Sequence, residues 1–334
     1  MISRNEFIRG AVATAAMAGV GSVKAGAGKN FLPVPEGREF AGMAGAYAAM
    51  YTPFDKAGRL NEEMVERIVE RGIEKGLAGF YLTGSTGEGF LLSDDERRRV
   101  YARAARAAKG RCKLIAHVGC LATENAVALA KYAADVGCDW VSSVAPVYFG
   151  QNFDAAFCHY QAISEATDLP FLIYSVAKTI DPARDAKLFS LKNVKGMKYT
   201  GYAYWSVQAL KRRLDKPAIF FAGADEQVLS AFAAKDVFSG CIGTTDNVIP
   251  GHFVKICELA AKGDFGSAAV LQDEVVRLVE LLFENDNGSW HKEMMRYVGF
   301  DCGSCRAPAG RPLTDGEYAA LCGKLEKLGF VAKG

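Results

Sequence analysis

A short loop with two hydroxyl side chains between glycines carries the clearest chemical signal in this sequence. Residues 84–88 read Gly-Ser-Thr-Gly-Glu and directly follow an apolar run at residues 79–82. Glycines allow a tight turn that brings successive backbone N–H groups onto one anion, and the hydroxyls of Ser85 and Thr86 add donors. We therefore expect a compact negative group to bind here, either a carboxylate or a phosphate.

The two common phosphate-binding loops do not fit this segment. A Walker A loop needs Gly-Lys-Ser/Thr after its glycines, whereas Glu88 stands between Gly87 and Gly89. The glycine spacing of a dinucleotide-binding fold is also absent. A carboxylate ligand is the simpler prediction.

Lys198 is the second reactive candidate, and it ends an apolar run that includes Gly196 and Met197. A lysine held in a barrel mouth would lose solvent, which disfavours the ammonium form. The free amine can then attack a ketone and form a Schiff base. The alternative is a lysine with a buried stem that extends its charge to solvent. The strand position alone leaves both interpretations open.

Three further polar residues follow predicted strands. Tyr148 could relay a proton to or from a reacting hydroxyl, or it could be a packing tyrosine. Asp225 and Glu226 could accept hydrogen bonds from sugar hydroxyls, or they could be acids at a helix N-terminus. The chain has only four histidines and no paired carboxylate–histidine spacing, so we predict no metal site.

An alternation of short apolar runs and amphipathic segments must position these residues. Eight strand–helix alternations without a central break predict an α/β fold, a closed (β/α)8 TIM barrel spanning residues 41–249. After Pro250 the strand signal stops, and residues 250–334 predict a C-terminal helical extension packed on the barrel. The predicted strands lie at residues 44–51, 79–83, 113–118, 140–144, 171–174, 194–198, 218–222 and 240–243.

The polar clusters come together only if this barrel forms. They follow the second, fourth, sixth, seventh and eighth predicted strands. The carboxyl ends of all barrel strands lie on one rim, which is where active sites of this fold are built. Clusters that are far apart in sequence are therefore expected to line one pocket.

Composition and the N-terminus set the broader limits. The 334 residues carry 40 basic and 38 acidic side chains with no basic block, so we expect no nucleic-acid partner. Nine dispersed cysteines do not form a disulfide framework. Residues 1–40 resemble a twin-arginine export leader in which Asn5 replaces the second arginine, and no membrane anchor is expected. A working leader would place the protein in the periplasm, and otherwise it would be cytoplasmic.

Taken together, the motifs resemble the dihydrodipicolinate synthase/N-acetylneuraminate lyase family of pyruvate-dependent class I aldolases. The resemblance covers about residues 44–330 and implies the same barrel with C-terminal helices, assembled as a homotetramer. It rests on Thr52-Pro53-Phe54, residues 84–88, Pro146-x-Tyr148, Gly196-x-Lys198, Gly223-x-Asp225-Glu226 and residues 243–247.

The resemblance also implies roles for individual residues. Lys198 would form the Schiff base with the pyruvate part of the substrate, and Tyr148 would shuttle the proton. Ser85 and Thr86 would hold the pyruvate carboxylate. Tyr81 and Thr200 match pocket positions, and the tail of the substrate would lie against Gly223, Asp225, Glu226, Gly243 and Thr244.

Within the family, the sialic acid lyase branch is the most similar. No arginine follows Tyr148 to bind a second carboxylate, and Thr244 replaces the usual serine of the tail site. The family commonly reads Tyr-Asn-x-Pro after its fifth strand, whereas here Ser175 and Ala177 replace Asn and Pro, and Lys178 follows.

The resemblance therefore implies a cofactor-free retro-aldol lyase. Its substrate would be a 2-keto-3-deoxy sugar acid, first of all N-acetylneuraminate, and pyruvate would be one product. The alternatives are another 2-keto-3-deoxy-aldonate aldolase or dehydratase, a dihydrodipicolinate synthase-like enzyme, or a non-catalytic barrel that binds sugar acids.

Overall fold

The structure is a computed structural model, and it describes residues 32–149, 152–176, 179–285 and 287–330. The predicted export leader and linker span residues 1–40, of which residues 1–31 lie outside the described residues. Lys178 also lies outside them.

Eight parallel strands close into a barrel in chain order, as predicted. The barrel closes where Gly45 of the first strand pairs with Gly240 of the last. The strands are β1 Gly45–Ala49, β2 Gly79–Leu82, β3 Lys113–His117, β4 Trp140–Val144, β5 Phe171–Ser175, β6 Val194–Tyr199, β7 Ile219–Ala222 and β8 Gly240–Gly243.

Helices alternate with the strands and begin at recognisable caps. Ser93 and Glu96 form a reciprocal capping box, and the side chain of Asn61 accepts the N–H of Met64. The helices in the described residues are α1 Glu62–Glu74, α2 Asp94–Ala108, α3 Thr123–Asp135, α4 Phe153–Glu165, α5 Pro182–Asp185, α6 Tyr204–Lys211, α7 Val228–Ala233, α8 Pro250–Ala261, α9 Phe265–Phe283, α10 Ser289–Tyr297 and α11 Asp315–Lys327.

The core has two apolar layers because successive strand side chains point to opposite faces. In β2, Tyr81 lies in the layer inside the barrel, whereas Phe80 and Leu82 lie in the layer between strands and helices. In β5, Leu172 and Tyr174 face inward by the same alternation. Residues at the carboxyl end of a strand that face inward are therefore the ones that reach the rim.

The C-terminal helices also reach this rim. α8 follows β8 as the earlier helices follow their strands, and it packs on β1. Gln272 of α9 accepts the N–H of Leu229 at 2.9 Å and donates to the carbonyl of Asp225 at 3.0 Å. α8, the first helix of the predicted extension, occupies the place of an eighth barrel helix. Among the described helices, none is long and apolar enough to cross a membrane.

Candidate active site

Lys198 lies inside the mouth of the barrel. It faces inward from β6 and is only 4% exposed, whereas its neighbours Met197 and Tyr199 belong to the outer layer. Its Nζ lies 4.8 Å from the ring centroid of Tyr81 and 4.3 Å from that of Tyr174. The buried lysine is therefore enclosed by aromatic faces rather than extended into solvent.

Two glycines leave room for the polar side chains of the site. A Cβ at Gly223 would lie 2.1 Å from Thr200 Oγ1 and 3.1 Å from Lys198 Cε. A Cβ at Gly243 would lie 2.0 Å from Asp225 Oδ1. Both predicted glycine positions are thus places where any larger residue would displace a polar group of the site.

Tyr174 is the tyrosine that the structure places beside Lys198. The two residues are paired in register between β5 and β6, and the hydroxyl of Tyr174 lies 3.3 Å from Ser85 Oγ. Burial raises the pKa of Tyr174. The Lys198 charge and hydrogen bonds with Ser85, Thr200 and Lys198 outweigh this effect, so that the pKa of Tyr174 ends below its ordinary value. A phenol with a lowered pKa can exchange a proton with a bound substrate more readily.

Tyr148 occupies a different place from the one its predicted role requires. Its side chain is 73% exposed, and its ring contacts Phe149 with the centroids 4.7 Å apart. Tyr148 lies beyond the end of β4 in an irregular segment, where the alternation of the strand no longer directs a side chain inward. The geometry therefore favours Tyr174 over Tyr148 for proton transfer.

Sequence reasoning left Tyr174 without a role, although a signal was available. Tyr174 stands two residues after Leu172 in β5, so the strand alternation directs both to the inside. The adjacent strand β6 presents Lys198 at the matching register.

The loop at residues 84–88 presents its hydroxyls to the rim and buries its glycines. Ser85 is exposed and Thr86 is half-buried, whereas Gly84 and Gly87 are buried. Thr86 Oγ1 is hydrogen-bonded to Thr244 Oγ1 at 2.7 Å, which joins this loop to the end of β8. Ser85, Thr86 and Tyr174 thus place three hydroxyls on the side of the rim where Lys198 lies.

A cleft of about 710 Å³ opens next to these hydroxyls. Five of the predicted substrate-binding residues line it: Thr200, Gly223, Asp225, Glu226 and Thr244. The carboxylate of Glu226 accepts the hydroxyl of the exposed Tyr202 at 2.6 Å. The prediction that residues from distant strands share one pocket agrees with this lining.

Asp225 has a structural function in addition to lining the cleft. Its Oδ2 accepts both the N–H and the hydroxyl of Thr245 at 2.7 Å. Burial raises the pKa of Asp225, and the Thr245 hydrogen bonds partly offset this. Asp225 therefore orders the turn after β8.

The opposite wall of the cleft comes from the C-terminal helices, and the sequence patterns did not indicate it. This wall is largely apolar, and Phe283 at the end of α9 is 73% exposed. In α9, the apolar residues of this wall have the spacing of an ordinary core-facing helix, so no local signal identifies them as part of a cleft. The wall consists of Val279, Leu282, Phe283 and His291, with Val176 beyond β5.

The described residues contain no group of three or more His, Cys, Asp or Glu side chains arranged to hold a metal ion. His117 is buried, and desolvation, reinforced by the charge of Arg97, lowers its pKa to about 3. Its imidazole is therefore neutral.

Comparison with known proteins identifies the family of this chain. The sequence profile of the Dihydrodipicolinate synthetase family matches residues 42–327. An N-acetylneuraminate lyase of Clostridium perfringens is 34% identical over 271 residues, which cover 80% of this chain and 93% of the relative.

Solved structures extend the comparison. The N-acetylneuraminate lyase of Mycoplasma synoviae (30% identity, TM-score 0.78) covers 88% of this chain and 100% of its own. A dihydrodipicolinate synthase from Aquifex aeolicus (25% identity, TM-score 0.80) covers 87% of this chain and 100% of its own. With its eight-stranded barrel and its buried lysine on β6, this chain belongs to the dihydrodipicolinate synthetase family.

Proposed function

We propose that this protein is an N-acetylneuraminate lyase, a class I aldolase that cleaves the sugar acid into N-acetylmannosamine and pyruvate. The observation that carries the proposal is the buried Lys198, which lies against Tyr174 on the side of the rim that holds the hydroxyls of residues 84–88. The 34% identity to the Clostridium perfringens enzyme supports the choice of substrate.

The keto-acid end of the substrate binds first in this proposal. Its carboxylate accepts hydrogen bonds from Ser85 and Thr86, whose hydroxyls are hydrogen-bonded to Tyr174 and Thr244. This holds the neighbouring C2 ketone within reach of Lys198 Nζ. Orientation of this kind lowers the barrier because the two reacting groups already meet in a productive geometry.

Lys198 then acts as the nucleophile. Its neutral amine attacks C2, the C2 oxygen leaves as water with one proton from the amine and one from Tyr174, and a protonated imine forms that can accept an electron pair. Tyr174, now a phenolate, takes the proton of the C4 hydroxyl as the C3–C4 bond breaks and the aldehyde sugar leaves. The resulting enamine is protonated at C3, and water hydrolyses the imine to release pyruvate and regenerate Lys198.

The remainder of the sugar occupies the cleft beyond Lys198. Glu226 and Thr244 offer polar groups to sugar hydroxyls on one side. The apolar wall with Leu282 and Phe283 faces them on the other side and suits an apolar substituent of the sugar.

Borohydride trapping with pyruvate tests the chemistry. Reduction should convert the imine into a stable adduct that mass spectrometry locates on Lys198. We expect Lys198→Met to abolish the adduct and to lower pyruvate release by about a thousandfold or more, as for loss of other covalent nucleophiles. An adduct of undiminished yield in that variant would contradict the assignment of Lys198.

Lys195→Met is the matched control because Lys195 lies on the same strand. Its Nζ is 3.6 Å from Glu39 Oε1, so it has an ion-pair partner outside the cleft. This variant should retain both adduct and activity. A panel of 2-keto sugar acids, assayed by pyruvate release, tests the substrate separately, and failure to cleave N-acetylneuraminate would overturn only that part.

We also propose that the enzyme is a homotetramer and needs no cofactor. Light scattering of the purified chain measures its mass in solution, and a monomer would contradict the proposed assembly. Activity that is lost on dialysis against a chelator and restored by a metal ion would contradict the absence of a cofactor.

A further inference from the structure

Within and beside the loop at residues 84–88, two residues with an unusual backbone conformation enclose residues 84–87. Thr83 has φ 51° and Glu88 has φ 56°, and neither is glycine. The left-handed region is uncommon for such residues and persists where surrounding contacts impose it. The contacts that hold these two residues therefore determine where Ser85 and Thr86 point.

The Thr83 end is held from inside the barrel wall. The carbonyl of Thr83 lies 3.1 Å from His117 Nδ1, and Thr83 Oγ1 donates to the carbonyl of His117 at 3.0 Å. The N–H of Val144 donates to His117 Nε2 at 3.3 Å, which leaves the ring proton on Nδ1. This end of the loop is thus fixed by β3.

The Glu88 end is held by residues more than 200 positions away in sequence. Glu88 Oε1 lies 2.8 Å from Lys292 Nζ, and Glu88 Oε2 accepts the N–H of Arg306 at 2.7 Å. The side chains of Glu88 and Lys292 are 3% and 0% exposed. Lys292 also lies over the ring of Phe54, with Nζ 3.9 Å from the centroid.

Overall stability alone does not account for such a pair. A buried ion pair is often no more stabilising than apolar residues of similar volume, because both charges lose their hydration. The pair instead fixes the orientation of the Glu88 side chain, since both oxygens of Glu88 have fixed partners. Gly87, the preceding residue, is held in turn because its carbonyl accepts Thr52 Oγ1 at 2.6 Å.

We propose that Glu88 and Lys292 are positioning residues for the carboxylate of the keto acid. The C-terminal segment at residues 289–306 sets the orientation of Ser85 and Thr86 through this ion pair, although it lies outside the barrel strands. The inference rests on the proposed function, because it takes the loop to be the carboxylate site of an imine-forming enzyme.

The decisive variant is the double substitution Glu88→Gln/Lys292→Met. It removes both charges together and so leaves no unpaired buried charge, whereas either single change would destabilise the fold strongly. Glu88→Asp is a second variant that keeps both charges and withdraws the carboxylate by one methylene. Lys324→Met is the matched control, since it removes an exposed ion pair to Glu284 among the C-terminal helices.

Borohydride trapping at increasing pyruvate concentration measures the concentration at half-maximal adduct formation. We expect it to rise about tenfold to a hundredfold in both Glu88 variants, the equivalent of one hydrogen bond to a charged group. The rate of trapping at saturating pyruvate should change little, because Lys198 and Tyr174 are untouched. Lys324→Met should behave as wild type, and thermal unfolding verifies that each variant is folded.

The outcomes separate the two proposals. A folded double variant, or a folded Glu88→Asp protein, that traps pyruvate at the wild-type concentration would overturn the positioning role and leave the proposed function standing. Equal loss of saturating rate and affinity would instead indicate a general disruption, which also overturns it. Absence of any adduct in the wild-type protein would overturn the proposed function and this inference with it.

Discussion

The inner and outer ends of the cleft are built in different ways. At the inner end, Lys198, Tyr174 and Tyr81 are buried strand residues whose polar atoms have defined neighbours. At the outer end, Tyr202 and Phe283 are more than half exposed and come from a loop and a helix end. The reaction chemistry therefore depends on the rigid barrel, whereas selection of the substrate tail depends on parts that are free to vary.

The strongest test of this contrast replaces, one at a time, the two tyrosines that are candidates for proton transfer. Tyr174→Phe should lower kcat by about a hundredfold to ten-thousandfold, the range for loss of a general acid–base. Tyr148→Phe should stay within about threefold of wild type, because its side chain is exposed and its ring packs against the equally exposed Phe149. Steady-state pyruvate release measures both variants.

The reverse result would contradict the assignment. If Tyr148→Phe lost activity and Tyr174→Phe kept it, the role implied by the family resemblance would hold and the geometry of the inner end would have been misread. Trapping of pyruvate by both variants serves as the control, because an adduct on Lys198 forms only if neither substitution has disrupted the fold.

The pH dependence of stability should also report on the inner end. Burial lowers the pKa of His117 from 6.5 to about 3. Below pH 6.5 the unfolded chain protonates this imidazole and the folded chain does not, so the free energy of unfolding falls as pH falls toward 3. The contribution is complete above pH 6.5, and its loss approaches about 1.4 kcal/mol per pH unit.

Urea unfolding at several pH values measures this slope. His117→Gln should make the free energy of unfolding less dependent on pH than in wild type. His291→Gln, at the outer end, is the comparison variant, because burial lowers the pKa of His291 as well. Equal slopes for wild type and His117→Gln would show that His117 is not the buried neutral group described.

The smallest expected effect concerns the apolar wall. Phe283→Ala should raise the KM for N-acetylneuraminate by about twofold to fivefold, because an exposed ring contributes only part of its apolar surface to a ligand. kcat and the melting temperature should be unchanged. Val270→Ala is the control, since Val270 lies on the same helix, is also exposed and does not line the cleft. A drop in kcat with unchanged KM would place Phe283 in the chemistry and contradict the contrast.

The barrel and its reactive lysine were accessible from the sequence. All eight predicted strands are present, and their ends agree with the structure to within about two residues, the usual uncertainty of element boundaries. Lys198 lies near the end of β6, and the loop at residues 84–88 follows β2, both as predicted. These features are local, since they depend on residues a few positions apart. Which way Lys198 faces was left open by the sequence, and the structure shows it buried.

Other features depend on the closed barrel. Tyr148 and Tyr174 both follow or end a strand, and sequence motifs favoured Tyr148, whereas the pairing of β5 with β6 brings Tyr174 to Lys198. The apolar wall at Phe283 belongs to a helix whose sequence is typical of any core-facing helix. No local pattern distinguishes such residues from ordinary packing residues.

The sequence by itself determined the strand–helix alternation, the place of Lys198 at the end of a strand and the glycine–hydroxyl loop, because each follows from the spacing of neighbouring residues. Only the tertiary structure decided which tyrosine meets Lys198, which helices close the cleft and that Lys292 pairs with Glu88. The physical reason is that these contacts join residues from separate elements, up to 204 positions apart, whose encounter depends on the closure of the whole barrel.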